Sequence, residues 1–392
     1  NLKSKNQKNS KTYEVLIIGG GISACVFISN YLKKNLRKNI ALIEAGRGLG
    51  GRSSTRISKK YKEWKIDHGS PNLNICNKSD NLLLQDFIDE LLKNNFIKID
   101  DSDFIEINDN GFESVGKNNS EFRNGTNYCS DSSMSELSEN IISLNQVRNQ
   151  IDYYFETLIV KLEFTNKVWY LTSNKGEIFK SKYIILSSNL LLHKRSIEIL
   201  NTKEIPLRKA VPKNNNKSID SIINFLEKQS YISRITFLIY TKADYKYKDS
   251  YEKENRYYHL HIDLENRYEI ERIIFQRQKN NRLAIVIHTK SKNFIDEYIK
   301  GENEDIFKNK ILTRFNDLFH KSSSINQLFN YDKISIMRWR ASQPSGLAVP
   351  KSVQFVSEYR IGFCGDWFSE DGFGRIEGAI MSALRLVNTF KY

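Results

Sequence analysis

The segment Gly19-Gly20-Gly21-Ile22-Ser23-Ala24 carries the pattern G-x-G-x-x-A directly behind an apolar run. The pattern has chemical meaning where it ends a strand and opens a helix. Gly19 permits the tight turn, Gly21 lets the backbone approach a pyrophosphate, and Ala24 is small enough for close helix-to-strand packing. The first helical amides, at Ile22 and Ser23, then offer unpaired N–H groups and a partial positive charge to phosphate oxygens. Glu44 lies 23 residues beyond Gly21. A carboxylate there accepts hydrogen bonds from ribose hydroxyls and favours a free ribose over a 2′-phosphate. These residues describe a dinucleotide site and fit NAD as well as FAD.

The next segment favours FAD. Ala45–Arg56 (AGRGLGGRSSTR) continues from Glu44 with Gly50-Gly51-Arg52, and this resembles the extension of the amine oxidase-like flavoprotein superfamily. The resemblance implies that Gly50, Gly51 and Arg52 pack on the pyrophosphate, a task suited to two small residues beside a fixed cation. Near the other end, Gly365-Asp366 resembles the superfamily's ribityl-binding Gly-Asp. Gly374-Arg375-Ile376-Glu377-Gly378-Ala379 resembles the start of the helix whose N-terminus faces the flavin pyrimidine edge. Arg375, Ile376 and Ala379 are the expected contacts there, since helix N–H groups and an arginine stabilise negative charge on a reduced ring. Ala45 and Ile159 complete the expected cofactor-binding set.

Within that superfamily the chain resembles the renalase family. Trp339-Arg340-Ala341-Ser342-Gln343 is similar to its Trp-Arg-x-Ser-Gln, and Val286-Ile287-His288-Thr289 to its strand ending in Ile-His-Thr. Asp67-His68-Gly69-Ser70 and Ile380-Met381-Ser382-Ala383-Leu384 follow the same pattern. Trp339 and His288 are therefore the candidate residues of the substrate pocket. The resemblance implies hydride transfer from a dihydronicotinamide, an aberrant isomer of NAD(P)H, to flavin, with O2 as electron acceptor and H2O2 as product. Cys364 lacks the Ser-Gly-Gly-Cys-Tyr context of covalent flavin attachment, so the FAD is expected to be non-covalent. The chain departs from the family at two places: no Pro-x-Gly precedes Met134, and residues 208–256 are long and charged. Two other readings remain open, an amine or polyamine oxidase and a non-catalytic binding protein resembling the Rab GDP-dissociation inhibitors.

The elements that must position these groups follow from periodicity. Tyr13–Ile18 and Asn39–Glu44 read as strands buried on both faces, with Ala24–Leu36 as the helix between them, giving one βαβ unit. Residues 81–95 and 133–144 read as amphipathic helices. Ile151–Phe164 with Lys167–Thr172 reads as an antiparallel pair, and Tyr183–Ser187 as another buried strand. Beyond Pro206 come a helix (Ser218–Lys228), strands (Arg234–Tyr240, Tyr257–Ile262, Glu271–Gln276, Leu283–His288) and helical character over Asp296–Phe319. Thr241–Arg256 reads as a solvated loop. Tyr359–Cys364 is a last buried strand, followed by a helix over Ile376–Phe390.

The expected fold class is α/β, with a Rossmann-like FAD-binding domain interwoven with a smaller α+β substrate domain that holds a mixed or antiparallel sheet plus helices. Residues 12–75, 145–205 and 331–392 are assigned to the FAD-binding domain, 76–144 and 206–330 to the substrate domain, and 1–11 to a disordered basic tail. At 392 residues, with 40 % apolar and 12 % aromatic side chains, two packed domains are affordable. Lys plus Arg number 60 against 46 Asp plus Glu, a charge of +14. That excess is spread along the chain without a nucleic-acid reader motif, so it reads as compositional bias. Cys25, Cys76, Cys129 and Cys364 form no C-x-x-C pair, which argues against a zinc site or disulfide framework and for the cytoplasm. The apolar run Val15–Ile18 is too short for a signal core or membrane span. The chain starts without Met, so its natural terminus is expected upstream.

Overall fold

The structure is a computed structural model that describes residues 11–35, 39–58, 64–76, 81–114, 125–144, 150–241, 256–278, 282–290, 292–301, 303–320, 331–368 and 372–390. The mixed α/β fold is built on two large sheets, and its dinucleotide half is Rossmann-like.

Strand β1 (Thr12–Ile18), helix α1 (Ile22–Lys34) and strand β2 (Ile40–Ile43) form the βαβ unit. Their side chains explain it: the four residues of β2 and most of β1 are buried, which only a sheet covered on both faces allows. β1 and β2 belong to an eight-stranded sheet in which Ile151–Tyr154, β2, β1, Ile178–Leu186 and Ile361–Phe363 run parallel. The strand Ile178–Leu186 shares one edge between two partners. Its first half pairs with Val168–Ser173, antiparallel, and its second half with Ile361–Phe363.

The antiparallel pair expected over 151–164 with 167–172 is divided. Ile159–Thr165 pairs with Val168–Ser173 as a hairpin, whereas Ile151–Tyr154 crosses to the far edge and runs parallel to β2. Leu16 and Ala41 on one side, and Val15 and Leu42 on the other, show why both faces need cover. On one face α1 packs with Met134–Ser143, Leu82–Lys93 and the C-terminal helix Ile376–Thr389. The other face receives the Ile159–Ser173 hairpin and the helices Pro206–Ala210 and Lys217–Glu227. Ser133 caps its helix with an Oγ that accepts from Glu136 N at 3.4 Å.

The second sheet has seven strands in the order Tyr331–Gly346, Gln229–Thr241, Leu283–Thr289, Ile270–Arg277, Arg256–Leu260, Asp103–Asn108 and Gly111–Ser114. The sequence assigned 331–346 to the dinucleotide half, but these 16 residues form the edge strand of the second sheet. The helical character expected over Asp296–Phe319, as one or two helices, is two helices, Lys292–Ile299 and Glu304–Phe319. Phe294, Phe307, Ile311 and Phe315 cover one face of the sheet. The other face is apolar at Leu238, Tyr240, Ile274, Ala284 and Val286, and period-2 alternation continues it through Thr236, Arg234, Arg272 and His288. That polar continuation faces the dinucleotide half. The loop expected at 241–256 lies, beyond Thr241 and before Arg256, outside the described residues.

The C-terminal helix is fitted tightly to the loop before it. A methyl group on Gly378 would stand 2.4 Å from the Gly372 carbonyl oxygen. Gly378→Ala should therefore destabilise the protein by about 1–3 kcal/mol despite alanine's better helix propensity. Gly48→Ala, where the added methyl meets nothing within 4 Å, should be close to neutral. Chemical denaturation of both variants checks this contrast.

Candidate functional site

A cavity of about 520 Å³ opens at the carboxyl edge of the parallel strands, the place where α/β sheets hold ligands. Its floor is the β1–α1 turn. Gly19 sits at φ 102°, and a Cβ there would stand 2.5 Å from Ser187 Oγ. Gly21 is the N-cap of α1 with no side chain capping it, and a Cβ there would meet nothing within 4 Å. The helix N-terminus thus opens onto free space of the kind a phosphate fills. Gly51, at φ 54°, approaches so closely that a Cβ on it would lie 3.3 Å from Gly21 Cα. Gly50 N donates to Gly20 O at 2.9 Å. Glu44 accepts from Gly20 N at 2.6 Å and from Gly46 N at 2.5 Å, which aims its carboxylate at this turn.

Arg52 and Asp366 meet over the floor. Nη1 and Nη2 of Arg52 donate to the two Asp366 oxygens at 2.7 and 2.6 Å, and Nη1 also donates to the Ser342 carbonyl at 3.2 Å. Asp366 is 5 % exposed, whereas Arg52 keeps 40 % of its side chain open to the cavity. Burial disfavours the guanidinium's charge, but the Asp366 carboxylate outweighs it and raises the Arg52 pKa above its ordinary value.

The C-terminal helix starts at the same cavity. Arg375 is its N-cap residue, and no side chain caps the helix. The Arg375 guanidinium is held by Asn74 Oδ1 at 2.8 Å and by the fully buried Glu377, whose other oxygen accepts from Cys76 N at 2.9 Å. Ile376 and Ala379 line the cavity beside it.

The opposite wall is the polar end of the second sheet. Arg234 lies opposite Trp339 in register, and Thr236 opposite His288. Extra residues at positions 340–342 on the edge strand and at Glu271 interrupt the ladders here. Arg234 donates to Glu271 at 2.7 and 3.0 Å and to Ser342 Oγ at 2.8 Å. Burial alone would raise the Glu271 pKa, but Arg234 holds it well below the carboxylate range. Trp339 Nε1 donates to Thr236 Oγ1 at 3.2 Å, and its ring stacks on His68 at 5.1 Å. His288 Nδ1 accepts from Arg272 Nε at 3.0 Å, so a neutral ring carries its proton on Nε2. Burial, reinforced by Arg272, lowers the His288 pKa far below 6.5. This histidine is a neutral donor, poorly suited to act as a base.

Most of the residues expected from the sequence come together here: Gly19, Gly21, Ile22, Ser23, Glu44, Gly50, Gly51, Arg52, Gly365, Asp366, Arg375, Ile376, Ala379, His288 and Trp339 all line the cavity. Three others do not. Ala24 is fully buried within α1, Ala45 is exposed, and Ile159 is a core residue 2 % exposed. Cys364 is also buried away from the cavity, and burial pushes its thiol up to about 12. Sequence reasoning missed Arg195, Tyr231, Arg234, Glu271 and Arg272, which line the wall. The signal for Arg234 was present: a charged residue in phase with Leu238 and Tyr240 on a buried strand face.

Residues 17–91 match the sequence profile of an NAD(P)-binding Rossmann-like domain. By sequence, no curated protein matches the chain. Its fold is shared with cyclohexylamine oxidase from Brevibacterium oxydans IH-35A, at TM-score 0.65 and 11 % identity, covering 97 % of this chain and 98 % of that one. A putrescine oxidase variant redesigned in cofactor binding gives 0.64 at 11 % identity, over 96 % and 98 %. A candidate protoporphyrinogen oxidase from Exiguobacterium sp. 255-15 gives 0.62 at 13 %, over 97 % and 98 %. At these identities the likeness is one of fold.

His68, under Trp339, gives the site a pH signature. Burial, with a smaller push from Arg56, lowers its pKa from 6.5 to about 4. The unfolded chain then binds more protons between these values, so this contribution to stability is full above pH 6.5 and is lost as pH falls toward 4. Relative to His68→Gln, the wild-type protein should lose about 2–3 kcal/mol across that window. Urea denaturation at several pH values measures the difference, and parallel curves would refute it.

Proposed function

We propose that the chain is an FAD-dependent oxidoreductase of renalase type. Its substrate is a dihydronicotinamide, an aberrant isomer of NAD(P)H, and its electron acceptor is O2. One observation supports this reading above the others: a single cavity runs from the uncapped N-terminus of α1 to the uncapped N-terminus of Ile376–Thr389 and on to Trp339. A dinucleotide needs the first helix. A ring that gains negative charge on reduction needs the second.

Bound FAD supplies the ring that accepts a hydride and hands the electron pair to O2, with release of H2O2. The chain's own residues bind and orient. Glu44 takes the ribose hydroxyls, the Gly19–Ser23 turn with Gly50, Gly51 and Arg52 takes the diphosphate, and Asp366 takes a ribityl hydroxyl. Arg375 and the amide at Ile376 face the pyrimidine edge, and Ala379, whose own amide donates to the Arg375 carbonyl, lines the cavity beside them. Trp339 positions the substrate, and His288 keeps its proton on Nε2. Cys364, buried with its thiol pushed up to about 12, supports non-covalent binding.

An amine oxidase would share this fold. Its pocket should be aromatic-lined or acidic to hold a cation, and on the acidic side the wall's Glu271 is already engaged by Nε and Nη2 of Arg234. The GDP-dissociation-inhibitor reading has no use for the buried Asp366 at the cavity floor.

The purified protein should be yellow, with the visible absorbance bands of flavin, and should release FAD on denaturation without proteolysis. Anaerobic addition of dihydronicotinamide isomers should bleach it, and air should restore the colour with H2O2 formed. Bleaching by amines alone would establish the amine oxidase reading. A colourless protein that takes up no FAD would refute both enzyme readings.

A further inference from the structure

Arg195 differs from three of the other arginines of the cavity. Arg52, Arg234 and Arg375 each have a carboxylate partner, in Asp366, Glu271 and Glu377. Arg195 lines the same cavity, yet among the described residues no carboxylate pairs with it. Its guanidinium lies 4.2 Å from the centre of the Tyr231 ring and donates from Nη2 to Asn189 Oδ1 at 3.1 Å. Its Nε is buried and completes no hydrogen bond. Asn189, 1 % exposed, likewise leaves its Nδ2 without a hydrogen bond.

Two adjacent side chains thus keep unused donors in a buried place, and one of them is charged. Each such group carries a desolvation cost until an acceptor arrives, and for a cation the matching acceptor is an anion. Burial already lowers the Arg195 pKa, and Arg52 adds a like charge in the same direction. The Tyr231 ring and the Asn189 amide oxygen hold the guanidinium in place, and a positioned guanidinium suits two-point recognition of phosphate oxygens. The position also favours phosphate. Asn189 follows Ser187 and Ser188, and Ser187 Oγ donates to Ile18 O at 3.0 Å and Gly19 O at 3.1 Å. A Cβ on Gly19 would stand 3.5 Å from Ser188. The two donors therefore flank the β1–α1 turn.

We propose that Arg195 and Asn189 form a second anion clamp, seated on Tyr231, that binds a phosphate of the dinucleotide held at the β1–α1 turn. The clamp rests on the flavin reading for the identity of that dinucleotide, and its chemistry would serve equally for a phosphate carried by the substrate. It adds a cation from the far side of the fold's sequence to the Gly19–Gly21 and Gly50–Arg52 elements. Nothing in a dinucleotide motif marks it.

The test uses the full-length protein stripped of any bound ligand, with Arg195→Met and Arg195→Lys. Binding of FAD and riboflavin is followed by flavin fluorescence, and binding of ADP by calorimetry. Arg195→Met should weaken FAD and ADP by about 10- to 100-fold, the range for a lost charge-assisted hydrogen bond, and leave riboflavin, which has no phosphate, unchanged. Arg195→Lys should fall between Arg195→Met and wild type. Unchanged FAD and ADP affinity with a raised KM for a phosphate-bearing dihydronicotinamide would assign the clamp to the substrate. Equal weakening of riboflavin, with a lowered melting temperature, would show a merely structural arginine and overturn the proposal. So would no change for any ligand or for KM. If wild type binds ADP but no flavin, the flavin reading fails while the ADP comparison still decides the clamp.

Discussion

The Arg52–Asp366 pair is the contact on which the geometry of the cavity depends. It joins residues 314 positions apart, at 2.6 and 2.7 Å, and the Ser342 carbonyl joins it from the edge strand of the second sheet. Three segments with no local reason to meet are thereby held at one point. The pair contributes little through Coulomb energy alone, because Arg52 is 40 % open to the cavity and Asp366 pays for its burial. Its value is geometric. Planar two-point pairing fixes the direction of both side chains, and both arrive by backbone that only glycine accepts readily: Gly50 and Gly51 at φ 114° and 54°, and Gly365 at φ 142°.

From that point the two halves of the molecule can be seen to depend on each other. Ser342 is shared: its carbonyl accepts from Arg52 and its hydroxyl from Arg234. Arg234 is in turn tied to Glu271 on a third strand. The dinucleotide floor and the opposite wall are therefore linked through a short series of polar contacts across the cavity. The apolar contacts that stabilise each sheet lie elsewhere, beneath α1 and Ile376–Thr389 in one half and beneath Glu304–Phe319 in the other.

What was legible in the sequence was local or carried by a motif. The β1–α1–β2 unit needs only two buried apolar runs and a glycine turn between them, and its interactions span few residues. Gly365-Asp366 and the helix after it were legible because a strand, a glycine and a helix start follow in sequence. What depended on distant pairing was not. Ile151–Tyr154 has the composition of a hairpin strand, but β2 offers it a parallel edge, and tertiary contact decided between them. Tyr331–Gly346 is half-exposed along much of its length, so it lacks the apolar run that marks a buried strand. Arg195 and Glu271 were hidden for a different reason: in a chain with 60 Lys and Arg, a charge facing inward looks like the many that face water.

The charge inventory of the cavity follows from this arrangement and limits what the cavity can hold. Among the described residues five arginines line it, against three carboxylates, Glu44, Asp366 and Glu271. Glu44 accepts two backbone amides, Asp366 is committed to Arg52 and Glu271 to Arg234. A cationic ligand drawn to Asp366 or Glu271 would compete with the arginine already paired there, whereas an anion meets Arg195, whose Nε completes no hydrogen bond. The same imbalance explains how the wall can be polar without loosening the fold. Leu238, Tyr240 and Val286 continue the face of Arg234, Thr236 and His288 into a packed apolar cluster, so the strands are anchored at one end and free to present charge at the other. An electropositive cavity held by rigid strands is suited to a phosphate-bearing ligand.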